Sequence, residues 1–179
     1  MTSTSPTTGE SGTTYAVRRL TVPVPGVREF QRDYEQAVPY APFDEVQALV
    51  KQNAPWSDML SLLDARAPNG FVIYFRNDWH PVMQAAGDQA GCIAYGMGNH
   101  TIAERMFRHD PRVMLYAPLH TVIWEDSDGS AWFSVDQPST QFSSFRLPAV
   151  AEVGVELDRK LANLLDVLGL EVPRSLLVS

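Results

Sequence analysis

Two apolar runs, VMLYAPLHTVIWED (113–126) and SAWFSVDQP (130–138), flank Ser127-Asp128-Gly129. Asp-Gly between apolar runs is a strong short-range hairpin signal. The chain is therefore expected to build an antiparallel strand pair here, and whatever else it folds must pack on that sheet. Pro118 falls inside the first run and has no N–H for a ladder. It is expected at a bulge, or with its nitrogen turned away from a partner strand.

Other segments supply strands for the same sheet. FVIYFRND (71–78) is aromatic, β-branched and apolar on both faces, which predicts a central strand. CIAYGMG (92–98) reads as a strand weakened by its glycines. TYAVRRLTVPV (14–24) alternates, with Tyr15, Val17 and Arg19 on one face and Ala16, Leu20 and Val22 on the other. Pro23, Pro25 and Gly26 are expected to end it.

Helical spacing fills the gaps. Val27, Phe30, Tyr34 and Val38 make one stripe; Phe43, Val46, Leu49 and Val50 a second; Trp56, Met59, Leu60, Leu63 and Ala67 a third. Pro55 suits a first turn, and Pro68-Asn69-Gly70 a stop. A short helix is expected from Pro81 to Gly87. Pro148 to Leu168 gives the longest helix, with Val150, Val153, Leu157, Leu161, Leu164 and Leu168 on one stripe and Gly169 as its cap. Strands and helices mix without strict alternation. The expectation is an α+β fold, a mainly antiparallel sheet with helices packed on one face as a two-layer sandwich.

The 179 residues suit a single domain. A chain of this size buries roughly 70% of its extended surface, so folding needs no disulfide or metal. Residues 1–13, rich in Ser, Thr and Gly, are expected to form a disordered arm, with residues 14–179 as the folded part. A net charge of −7 argues against nucleic acid and against an anionic membrane surface as partners. No run approaches the roughly 18 apolar residues of a membrane span. Cys92 is the only cysteine, which excludes an intrachain disulfide and suits a cytoplasmic protein.

A family resemblance emerges between Gly70 and Leu168. GFVIYF opens a strand with Gly-Phe; CIAYGMGNHTIAERMFRHDPRV is a strand, an Asn-containing turn, a helix and an Asp-Pro exit. MLYAPLHTVIWEDSDGSAWFSVDQPS is a Pro-interrupted strand, an acidic-Gly turn and a strand ending in Asp-x-Pro, and a long helix follows. This series resembles the family called domain of unknown function 302. The family's turn carries Cys-Asn-Pro where this chain has Gly98-Asn99-His100, so no thiol stands there. Residues 26–69 look like an addition to the family's core. The resemblance implies a compact α+β fold that often pairs as a homodimer, and it implies no activity.

Chemistry-bearing residues concentrate in GNHTIAERMFRHDP (98–111). Thr101 and Glu104 have the spacing of a capping box, and Ile102, Ala103, Met106 and Phe107 make a buried face, so a capped surface helix explains the stretch. The functional reading takes His100 and Glu104, four apart, as a proton-sharing pair, with Asn99 and the free helix amides holding a carbonyl or an anion. HExxH and CxxC are both absent, so neither a metal nor any other cofactor is expected. His120 should share a strand face with Met114, Tyr116, Val122 and Trp124, as core or as a pocket for a flat ligand. His80 and Trp79 either start a short helix or fold over a pocket. Cys92 reads as a small buried hydrophobe.

Three functions follow from these residues. The first is a small-molecule-binding domain with an aromatic pocket between sheet and helices, lined by Tyr74, Tyr95, Tyr116, His120 and Trp124. Asn99 and His100 would stand at its mouth, with His80 nearby. The second is a cofactor-independent isomerase, cyclase or lyase, of the kind used in secondary metabolism. Its base would be His100 or His120, oriented by Glu104, with Asn99 holding an oxyanion. The third is haem binding through a histidine in an apolar slot.

Overall fold

The computed structural model describes residues 12–177. All but the last two residues of the expected arm 1–13 lie outside the described residues.

Five strands, β1 (Arg19–Val24), β2 (Val72–Asp78), β3 (Cys92–Gly98), β4 (Leu119–Glu125) and β5 (Ala131–Asp136), form one antiparallel sheet in the order β1-β5-β4-β3-β2. Seven α-helices are present among the described residues: α1 (Val27–Ala37), α2 (Phe43–Lys51), α3 (Trp56–Arg66), α4 (His80–Gln84), α5 (His100–Phe107), α6 (Pro138–Phe142) and α7 (Pro148–Val167). The fold is α+β, as the mixed pattern requires.

The register sorts the side chains by face. Leu20, Val135, Thr121 and Tyr95 pair across β1, β5, β4 and β3, and Val22, Phe133, Ile123 and Ile93 do the same one row on. These residues are buried, and with the stripes of α1 and α7 they make the main core. Alternate positions face the other way: Thr21, Ser134, Val122, Ala94 and Asn77 in one row, and Pro23, Trp132, Trp124 and Cys92 in another. None of these is fully buried. Inside the core, the Tyr34 hydroxyl meets Thr121 Oγ1 at 3.0 Å, which satisfies two polar groups that water cannot reach.

Three expectations are corrected. β2 is not central but an edge strand, because its apolar faces meet different partners. Ile73 faces the main core, whereas Val72 joins Ala41, Met59, Leu63 and Ala67 in a second cluster. Part of the free edge is covered by residues 39–41: the Ile73 amide donates to Pro39 O at 2.8 Å, and the Ala41 amide donates to Ile73 O at 2.8 Å. The first hairpin run is only half strand. Residues 111–115 form a 3-10 turn, a cis Ala117-Pro118 bond follows, and β4 begins at Leu119, so Pro118 precedes the ladder instead of interrupting it. The N-terminal strand is shorter than its alternation suggests and runs through Pro23 to Val24, which an edge strand tolerates.

Candidate functional site

The junction between β3 and α5 builds the site. Asn99 leaves the helix with extended backbone, and its Oδ1 accepts from the Thr101 amide at 3.0 Å and from Thr101 Oγ1 at 2.7 Å. Its Nδ2 donates to Gly70 O at 3.2 Å, tying the helix start to the loop before β2. Asn99 is thus the N-cap, and the capping box read from Thr101 and Glu104 does not form. Glu104 pairs instead with Arg108 one turn on, through Nε at 3.1 Å and Nη2 at 2.5 Å. The His100–Glu104 pair does not form either, because the imidazole turns inward, away from the carboxylate's partner.

His100 sits between β2 and α3. Its backbone N–H donates to the Tyr74 hydroxyl at 2.8 Å, and the same hydroxyl lies 2.8 Å from His100 Nδ1. An oxygen already accepting from the backbone has its own proton to give, so it donates to Nδ1. That places the imidazole proton on Nε2, which points at Met59 Sδ at 3.2 Å. Both ring nitrogens are engaged in the neutral form. Burial pushes the His100 pKa down and the Tyr74 pKa up to about 12, so both groups stay uncharged near neutrality.

Against this junction lies a half-open cavity of about 270 Å³. Tyr74, Phe75, Gly98, Asn99 and His100 form one side; Ala103 and Met106 come from α5. Met114, Pro118, Phe142 and Leu157 close the rest, and Phe43 stands at the α2 end. Its surface is almost entirely carbon, since the polar atoms of Tyr74, Asn99 and His100 are spent on one another and on neighbouring protein atoms. Glycine is required nearby at Gly96: a Cβ there would stand 2.2 Å from Phe75 Cε1, so the ring lies flat on the bare backbone.

The cavity gathers Tyr74, Asn99 and His100 from the sequence-expected set and disperses the others. Tyr95 is fully buried on the core face, and its hydroxyl donates to Glu35 Oε1 at 2.8 Å. His120 and Trp124 lie on the opposite, open face of the sheet. His120 there meets Phe75 edge-on at 5.5 Å between ring centroids, and Trp124 stacks on Trp132 at 6.4 Å. Met114 and Tyr116 precede β4 and share no strand face with them. The Tyr116 hydroxyl bonds that of Tyr15. His80 begins α4, with its amide on Asp78 Oδ1 at 3.2 Å and Nδ1 near Ala90 O at 3.1 Å. Phe43, Met114, Phe142 and Leu157 join the lining from outside the sequence-expected set. They lie far apart in sequence and carry no chemical signature; only Ala103 and Met106, on the expected inner face of α5, could have been read. Among the described residues, no three His, Cys, Asp or Glu side chains converge as a metal site, and no helix is long and apolar enough to cross a membrane.

A five-stranded antiparallel sheet, a carbon-walled hollow at the end of its third strand and a long covering helix define an α+β protein. The pattern of the family described as "Domain of unknown function DUF302" matches residues 34–168, and the chain belongs to that family. The match takes in most of the helical segment 26–69 as well as the part that carried the resemblance. A crystal structure of an uncharacterized conserved DUF302 protein from Bacillus stearothermophilus shares the fold, at a TM-score of 0.58 and 16% identity, over 85% of this chain and 97% of that one. No curated protein matches the sequence.

Proposed function

We propose that this protein binds a compact, neutral, apolar molecule in the cavity beside α5. One observation carries the reading: a hollow of about 270 Å³ with an almost wholly carbon surface, whose polar side chains Tyr74, Asn99 and His100 bond one another or nearby protein atoms. A charged ligand would enter without a partner and pay its desolvation cost in full, whereas a one- or two-ring hydrocarbon exchanges water for carbon contacts. The engaged nitrogens of His100 also favour binding over acid–base chemistry, because a general base needs a free lone pair facing its substrate.

Native mass spectrometry and thermal shift with naphthalene, indole and matched aromatic acids test the proposal. Stabilisation by the neutral compounds and not by the acids supports it; no stabilisation by any of them defeats it. We also propose that the protein pairs as a homodimer. A second copy would cover the open sheet face around Val122, Trp124 and Trp132, and sedimentation as a monomer at micromolar concentration would rule it out.

A further inference from the structure

A second groove, of about 320 Å³, lies on the far side of the 3-10 turn 111–115 and shares no lining residue with the cavity beside α5. Arg112, Arg146, Tyr15, Tyr116 and Phe145 are among the residues that form its wall. Among the described residues no carboxylate-bearing side chain lines it. Arg112 is paired with Asp110, which leaves Arg146, among the described residues, as the groove's unpaired cation on a chain of net charge −7. Asp110 holds only one edge of Arg112, through Nε at 3.0 Å and Nη2 at 2.6 Å, and Nη1 has no partner among the described residues. Arg146 has no side-chain partner among the described residues, and its backbone is left-handed, at φ 56, a conformation that side-chain-bearing residues seldom adopt. The Tyr116 ring stands between Tyr15, at 5.9 Å, and Phe145, at 5.8 Å, both edge-on.

We propose that this groove is a binding site for an oxyanion, carboxylate or phosphate, carried on a flat aromatic body. The Arg146 guanidinium fork and the remaining edge of Arg112 fit the oxygens of such a group, and the bonded Tyr15–Tyr116 hydroxyl pair keeps one proton to donate. The ring wall takes the flat part by edge-to-face contact. The site is independent of the apolar cavity and stands or falls without it.

The test is a ¹H–¹⁵N NMR titration of the full chain with phenyl phosphate, benzoate, inorganic phosphate and neutral phenol. The expected result is saturable shifts at Thr13, Tyr15, Ser144 and Phe145 with the two aromatic anions, weaker shifts with inorganic phosphate and none with phenol. Arg146→Gly removes the guanidinium while suiting the left-handed backbone, so the fold is kept. It should weaken phenyl phosphate by about tenfold or more. Preference for benzoate over phenyl phosphate, or the reverse, identifies which oxyanion the site takes and supports the proposal either way. Equal affinity in Arg146→Gly, equal binding of phenol, or no shift at these residues with any anion overturns it.

Discussion

At the scale of single residues, Tyr74 decides what His100 can do. One hydroxyl serves both the His100 amide and its Nδ1, so Tyr74→Phe leaves two polar groups unpaired in a half-buried site. The expected cost is about 1–3 kcal/mol of unfolding free energy, read by urea denaturation. A loss under half a kilocalorie would mean that water replaces the hydroxyl. The pH response has a definite sign. Burial depresses the His100 pKa below 6.5, so on acidification the unfolded chain takes up this proton first. Its contribution to stability is complete above about pH 6.5 and is lost as pH falls through the lower folded value. His100→Gln should therefore flatten the stability–pH curve just below about pH 6.5, above the range where the depressed carboxyls of Asp110 and Asp126 respond. A variant curve parallel to the wild type's in that range would show that His100 is protonated with no penalty.

At the scale of elements, the start of α5 separates what sequence spacing shows from what only packing shows. Thr101 and Glu104 have capping-box spacing, yet Asn99 caps the helix and Glu104 pairs with Arg108. Asn wins because it stands one position outside the helix in extended conformation, where its side chain reaches the second helical amide. Asn99→Ala should cost about 1–2 kcal/mol, and Glu104→Ala within about 0.5 kcal/mol, since the latter removes only an exposed ion pair. The reverse order in thermal melts would restore the capping box. Other elements were legible for a similar local reason. The long helix and its Gly169 stop follow from a 3.6-residue stripe, and the hairpin follows from Asp128-Gly129. The edge position of β2 was not legible. Periodicity reports that both faces of Phe71-Val72-Ile73 are apolar, but not that one is buried by α3 and the other by the main core. His120 does share its face with Val122 and Trp124, as the alternation indicates, but Met114 and Tyr116 do not join them, because the chain turns at residues 111–118 and β4 begins only at Leu119.

For the whole molecule, the hollow beside α5 sets how its walls respond to added carbon. A packed interior punishes added carbon by about 1–3 kcal/mol, because side chains are forced off their rotamers. A true cavity does not, since the new atoms replace emptiness and gain contacts. Ala103 stands on the wall, half-buried on α5, and leucine is as comfortable as most residues in a helix. Ala103→Leu should thus leave the melting temperature unchanged or raise it, while weakening any neutral aromatic guest by about tenfold or more. Gly96→Ala provides the contrast. Its Cβ would collide with the Phe75 ring, so it should destabilise by about 1–3 kcal/mol and disturb the cavity only through that ring. If Ala103→Leu were as damaging as Gly96→Ala, the volume seen between β3, α5 and α7 would already be filled in solution. The wide spacing of Phe43, Met114, Phe142 and Leu157 along the chain would then reflect core packing, and no guest would be needed to explain it.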